Sequence, residues 1–346
     1  MNPYIAYDAL NTKIVTQKGR LLDENSFEKI IGCNTVEQVT EVLFTRYDLK
    51  RYIENVKTGD LHRDDLETLL NRYKVSVIEN ILHYCSGPYR EFILVFLMEY
   101  EIYDISLILR KIARGEELDD IESHFIHSEK YSVLQYGKLK ASRTVLQYVE
   151  NLKGTPYYNP LKTVTDTDAV KREFHIEMKL QQLYFKTLLT KAEKLFDEDK
   201  RIAHDLIGLK IDFLNVQWIY RAKRLYDISP EQMLIYSLQG GRRLDFDRLR
   251  KLCYSKSADE VKILASQYLK HNMLTSDKGA DIERNANDYI FKYIKGIKHH
   301  GTIGSVLAYI YILDSAVREF VTVTEGIRYK LPGEQLEQYL LNRENR

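Results

Sequence analysis

The chain has little of what cross-links or punctuates a protein. Cysteine occurs three times in 346 residues, as Cys33, Cys85 and Cys253. They are odd in number and far apart, with no CxxC or metal-knuckle spacing, which excludes a disulfide framework and fits a reducing, cytosolic setting. Glycine (16) and proline (6) are few, so turns are scarce and long helices are favoured. The longest apolar runs, Phe92–Met98 and Ile303–Leu313, fall short of the roughly 20 residues that a bilayer span needs. The first residues, MNPYIAYDALNTK, carry no basic segment followed by an apolar one, so no signal peptide is expected. Lys plus Arg is 51 against 50 for Asp plus Glu, a net charge of +1. That balance argues against wrapping nucleic acid or clinging to an anionic membrane by bulk charge. No Gly-x-Ser-x-Gly elbow and no GxxxxGK[ST] loop is present.

What is present is helical periodicity. Apolar residues recur at intervals of three and four with charges between them, and period-2 alternation is rare. In Glu91–Arg114, Ile102, Ile105, Ile108 and Leu109 form one stripe, while Glu101, Asp104 and Lys111 lie off it. Asp197–Arg224, which holds the single Trp218, and Thr302–Ile327 follow the same pattern. Breaks are short: Gly87-Pro88, Gly154-Thr-Pro156, Gly240-Gly241 and Pro332-Gly333. The segment 154–168 is the longest expected irregular stretch. The 26 tyrosines suit half-buried positions on such helices.

An internal repeat organises these helices. Gly19-Arg-Leu-Leu-Asp23 matches Gly241-Arg-Arg-Leu-Asp245 at an offset of 222. At half that offset, Glu101-Ile-Tyr-Asp104-Ile-Ser-Leu-Ile-Leu-Arg110 aligns with Asp212-Phe-Leu-Asn215-Val-Gln-Trp-Ile-Tyr-Arg221. A second motif begins at Leu66-Glu67, Ile176-Glu177 and Ile282-Glu283. Tyr226-Asp-Ile-Ser-Pro-Glu-Gln returns as Tyr329-Lys-Leu-Pro-Gly-Glu-Gln. Three helical units are therefore expected, at 1–119, 120–228 and 229–346, in an all-α fold. The third long helix registers at an offset of 104, where Ala316, Glu319 and Glu325 replace Asp212, Asn215 and Arg221. A single symmetric active site built from all three copies is not expected.

The same residues carry a resemblance. Leu206–Arg224 with its Asp212…Asn215…Arg221 pattern, Gly240-Gly241-Arg-Arg-Leu, Gly154-Thr-Pro-Tyr-Tyr158 and Glu325-Gly-Ile-Arg-Tyr-Lys-Leu-Pro-Gly-Glu334 resemble the C subunit of V-type and archaeal-type rotary ATPases, the family that includes the d subunit of eukaryotic complexes. The resemblance covers essentially the whole chain. It implies three similar helical subdomains in a funnel of approximate threefold symmetry. It also implies a non-catalytic role: coupling the central stalk (D- and F-type subunits) to the membrane proteolipid ring during proton or sodium transport. The implied location is peripheral, on the cytoplasmic side of the membrane, with no cofactor. From composition and periodicity alone, a cytosolic helical-repeat adaptor is the alternative.

Eight residues are candidates for partner contact or contact between repeats: Glu101, Asp104, Arg110, Asp212, Asn215, Arg221, Arg242 and Arg243. Positions six apart do not share a helix face, so Asp104 and Arg110 are not expected to pair. Structural pairing between helices stays open for each. Glu101 and Asp104 are a possible acid–base pair, but no His or metal cluster accompanies them in sequence, which argues against catalysis. His124 and His127 have a metal-ligand spacing without an identifiable third ligand. His299-His300 read as helix capping. Gly240-Gly241-Arg242-Arg243 admits a phosphate nest or a tight interhelical turn, and the turn is the better reading.

Overall fold

Long apolar stripes with no proline beyond the first turn give three helices of 28, 29 and 25 residues. A computed structural model describes residues 10, 12–14, 24–47, 62–164, 173–226, 228–277, 279–297 and 301–337, and among these no strand occurs. In chain order the helices are α1 (Glu24–Ile31), α2 (Val36–Tyr47), α3 (Arg63–Leu82), α4 (Gly87–Arg114), α5 (Tyr136–Lys140), α6 (Val145–Asn151), α7 (Tyr158–Leu161) and α8 (Glu173–Ala192). There follow α9 (Asp197–Leu225), α10 (Pro230–Tyr236), α11 (Phe246–Cys253), α12 (Ala258–Leu269), α13 (Gly279–Gly296), α14 (Gly304–Arg328) and α15 (Gly333–Glu337). No helix among the described residues is long and apolar enough to cross a membrane. The segment 154–164 holds turns and the short α7. Residues 19–23, 165–168, Asp227 and His299-His300 lie outside the described residues.

Contacts divide the chain into two compact units: Met1–Leu97 with Glu122–Lys130 and Ile297–Arg346, and Met98–Ile121 with Tyr131–Gly296. In the first unit α14 packs on α3 and also meets α1 and α2, while α15 lies against α1. A largely buried ion pair, Lys74 Nζ to Asp314 at 2.6 Å, joins α3 to α14. The Arg72 guanidinium donates to the carbonyls of Phe125, Ser123 and Glu122 at 2.8, 2.9 and 3.2 Å. It adds a side-chain donor to carbonyls at the end of a short 3-10 turn. Ser128 donates to Glu79, so both ends of segment 122–130 are tied to α3.

In the second unit α9 is central and packs on α12, α8, α13 and α11. Its first turn holds Asp197, Glu198 and Asp199 and its last holds Lys223 and Arg224, the charge order that a helix dipole favours. Leu206, Ile207, Leu209, Ile211, Val216 and Ile219 are buried along it. Fully burying a side chain of this size stabilises by about 1.5–3 kcal/mol.

Helix boundaries recur at the offsets of the sequence repeat. α1 and α2 are matched at both ends by α11 and α12 at 222, and α3 by α8 at 110. Packing recurs with them: α14 meets α1 and α2 as α9 meets α11 and α12, and α15 meets α1 as α10 meets α11. The starts of α2, α6 and α12 share one capping arrangement. Thr35, Thr144 and Ser257 accept from the N–H groups of Gln38, Gln147 and Glu260 at 3.4, 3.2 and 3.2 Å. The side chains of those three residues reach back to the N–H groups of Asn34, Arg143 and Lys256 at 2.8, 2.9 and 2.5 Å. This is a capping box whose return bond lands one residue before the cap. Four residues after each cap stands a fully buried side chain: Val39, Tyr148 and Val261.

Candidate functional site

Two of the candidate acids come together in the second unit. Glu101 and Asp104 are three apart on α4 and share a face; both are buried. Glu101 accepts from the Ser132 hydroxyl and the Val133 N–H (2.8 Å) through one oxygen, and from the Tyr157 hydroxyl through the other. Asp104 accepts from the Tyr136 hydroxyl at 2.9 Å. Burial first, and then these carboxylates, push the phenols of Tyr136 and Tyr157 far above their usual range. Tyr148, in the same cluster, is raised well above it by burial and by Asp104. The three tyrosines therefore stay protonated, and Tyr136 and Tyr157 act as neutral donors to the acids. Tyr157 comes from the Gly154-Thr-Pro-Tyr-Tyr158 motif, whose role is to seat this ring under α4.

One repeat later the arrangement returns on α9. Asp212 is fully buried and accepts the N–H groups of Arg243 and Leu244 at 2.8 and 3.0 Å. Val133 and Leu244, the residues whose N–H groups are held, stand 111 apart, as Glu101 and Asp212 do. Burial raises the Asp212 carboxyl from 3.8 to about 6, against the backbone donors that pull it down. Asn215, also buried, exchanges two bonds with Leu238: its amide donates to the carbonyl at 2.8 Å and its oxygen accepts the N–H at 2.7 Å. Together they clamp residues 238–244 to α9. The turn is possible because both sides are bare. A Cβ on Gly208 of α9 would lie 2.8 Å from the Arg242 nitrogen, and one on Gly241 would overlap the Asp212 carboxylate. Gly240-Gly241 thus forms the tight turn expected. The N–H groups of Arg243 and Leu244 that follow it converge on an anion, and that anion is the chain's own Asp212.

The arginines have separate fates. Arg242 pairs with Asp205 at 2.9 Å and lies over the Tyr293 ring, 4.7 Å from its centroid; Tyr293 in turn donates to Asp205 at 2.6 Å. The Arg243 backbone serves the Asp212 clamp, and its carbonyl accepts from Arg248. Arg110 reaches Glu177 at 3.6 Å with both side chains substantially exposed, a pair worth little. Arg221 is exposed and stands beside Gly279 at the start of α13. In the third long helix Glu319 is buried and accepts from Ser315 at 3.2 Å, and Glu325 pairs with Arg328 at 3.0 Å. Trp218 is half-buried.

His124 and His127 do not share an α-helix: a 3-10 turn ends at His124, whose ring meets Ser123, and His127 packs against Phe125. No three His, Cys, Asp or Glu side chains form a metal-holding group among the described residues. Glu101 has both oxygens engaged by neutral donors, and Asp212 is fully enclosed and engaged by backbone. Such carboxylates hold loops in place. Sequence reading missed the loops these acids hold, because an alignment of helices does not reveal what packs across them. It also missed the capping residues, although Thr35-Val-Glu-Gln38, Thr144-Val-Leu-Gln147 and Ser257-Ala-Asp-Glu260 each spell the [ST]-x-x-[EQ] signal.

The family model described as ATP synthase (C/AC39) subunit matches residues 10–339. The C subunit of the A-type ATP synthase of Archaeoglobus fulgidus is 23% identical over 343 residues, covering 97% of this chain and 96% of the relative. Its counterpart in Methanosarcina mazei is 23% identical over 253 residues, covering 72% and 68%. That of Haloquadratum walsbyi is 21% identical over 341 residues, covering 95% and 96%. With a match that runs through nearly every described helix, the chain belongs to the ATP synthase (C/AC39) subunit family.

Proposed function

We propose that this protein is a non-catalytic central-rotor subunit of an A/V-type rotary ATPase. It links the central stalk, of D- and F-type subunits, to the membrane proteolipid ring, and passes torque between them as protons or sodium ions move. It sits peripherally on the cytoplasmic side. The observation that carries this reading is family membership over residues 10–339. The internal commitment of the buried acids supports the non-catalytic part, since Glu101, Asp212 and Asn215 all fasten loops to long helices.

The three expected subdomains, 1–119, 120–228 and 229–346, are proposed as the repeating parts of a funnel. The recurring helix bounds, packing and capping boxes support three copies of one helical unit. A transmission piece must resist bending, and closely packed helices with loops clamped at mid-helix have few soft hinges. The test is co-isolation from native membranes in mild detergent. The full-length protein is expected to bring down stalk and proteolipid subunits, and the isolated protein to hydrolyse no ATP. An intact preparation lacking those subunits, or nucleotide turnover by the pure protein, overturns the reading.

A further inference from the structure

We propose that the end of the second unit where α9 stops and α13 starts docks an acidic segment of a partner subunit, with Arg221 as the anchoring cation and Leu225 and Tyr226 as an apolar floor. The inference rests on the rotary-subunit reading and names a contact surface for it.

Three cations gather at this end: Arg221, Arg224 and Lys262. Asp277 answers two of them, and Asp259 also reaches Lys262 at 3.5 Å. Arg224 reaches Asp277 at 3.1 Å, Lys262 reaches it at 2.9 Å, and the Tyr220 hydroxyl donates to it at 2.5 Å. These donors, Tyr220 first, hold the Asp277 carboxyl down at about 2. It is engaged on both oxygens and stays ionised. Arg221 lies outside this arrangement. A Cβ on Gly279 would lie 3.1 Å from the Arg221 Nη2. The start of a helix offers N–H donors and positive partial charge, and a guanidinium needs acceptors. Among the described residues Arg221 makes no hydrogen bond or ion pair.

One turn further along α9, at i+4, Leu225 is 63% exposed, and Tyr226 beside it is 59% exposed. An arginine without an acceptor next to an exposed aliphatic and an exposed tyrosine has the composition of an interface anchor. A carboxylate arriving here gains a bidentate guanidinium contact, while its apolar neighbours cover Leu225 and Tyr226. A second copy of this chain is a poorer occupant: a twofold contact centred on the patch brings Arg221 against its own cations. Nucleic acid is poorer too, because the chain as a whole is near neutral.

The test uses the full chain in its native complex. Arg221→Glu, Arg221→Lys and Leu225→Asp are compared with wild type by melting temperature, oligomeric state and recovery of stalk and proteolipid subunits from membranes. Expected are unchanged melting temperatures, at least about tenfold lower recovery for Arg221→Glu and Leu225→Asp, and a recovery for Arg221→Lys that lies between these and wild type, since lysine keeps the charge but not the bidentate fork. Wild-type recovery with both Arg221→Glu and Leu225→Asp overturns the docking surface while leaving the rotary reading intact. A wild-type dimer that Arg221→Glu abolishes also overturns it, by giving the patch to a second copy. If wild-type protein brings down no rotary subunits from an intact preparation, the parent reading is what fails.

Discussion

Replacing Asp212 by Asn tests the clamp on α9 through pH. Burial holds the folded-state carboxyl at about 6, against an ordinary 3.8. Each pKa unit between folded and unfolded states is about 1.4 kcal/mol, so keeping Asp212 ionised costs the fold about 3 kcal/mol above pH 7. An acid raised on folding binds its proton more tightly when folded. The stabilisation from protonation is therefore fully present below about 4 and is lost as pH rises through 6. Asn is the same shape, carries no charge and does not titrate. It keeps one acceptor for the N–H groups of Arg243 and Leu244 and turns a donor toward the other, which costs about 1–3 kcal/mol. At pH 7.5 the two effects offset, and the variant is expected within about 1–2 kcal/mol of wild type. At pH 5 wild type has shed about half of its charge cost, so the difference moves in its favour by about 1–2 kcal/mol. The assay is urea unfolding followed by far-ultraviolet circular dichroism at pH 7.5, 6 and 5. A difference that stays flat with pH, with the variant more than about 3 kcal/mol weaker throughout, refutes the reasoning. It would mean that the backbone donors outweigh burial and keep the carboxylate comfortably ionised.

Three further outcomes are expected. Asn215→Leu strands the buried N–H and C=O of Leu238 and lowers stability by about 2–4 kcal/mol in the same urea assay; a loss under about 0.5 kcal/mol contradicts the exchange of bonds. Gly208→Ala drives a methyl into the backbone of Arg242, so it costs about 1–3 kcal/mol despite alanine's better helix propensity; a gain in melting temperature counts against the close approach. Thr144→Ala and Ser257→Ala each remove a cap and cost about 1 kcal/mol, with the double variant close to additive. Amide exchange confined to the first turns of α6 and α12 reports the local effect, and unchanged exchange there removes these residues as caps.

The all-helical class was legible because the signal is long and redundant: stripes such as Ile102, Ile105, Ile108 and Leu109 persist over many turns. The long helices came within a few residues of their observed ends; the third begins at Gly304 rather than Thr302, where the Thr302 hydroxyl accepts from the Gly304 N–H. The offset of 111 located Glu101 and Asp212 correctly on equivalent turns. What those acids touch was not legible, since Ser132, Val133, Leu238 and Leu244 lie far along the chain and their backbone groups have no sequence signature. The fate of Arg221 was open for the same reason. Its neighbour at Gly279 is set by how α13 packs on α9, which a helix-by-helix alignment does not encode.

The first unit is assembled from the two extremes of the chain: α14, near the end, packs on α1, α2 and α3 from the beginning. On the ribosome, α3 is made some two hundred residues before its principal packing partner. At 5–20 residues per second it waits roughly 10–40 s with its apolar side uncovered, while the second unit already has all its pieces. Synthesis of α14, rather than emergence of any earlier helix, is thus the event that lets the first unit close. A chain cut short before α14 leaves the first unit open however well the second has folded.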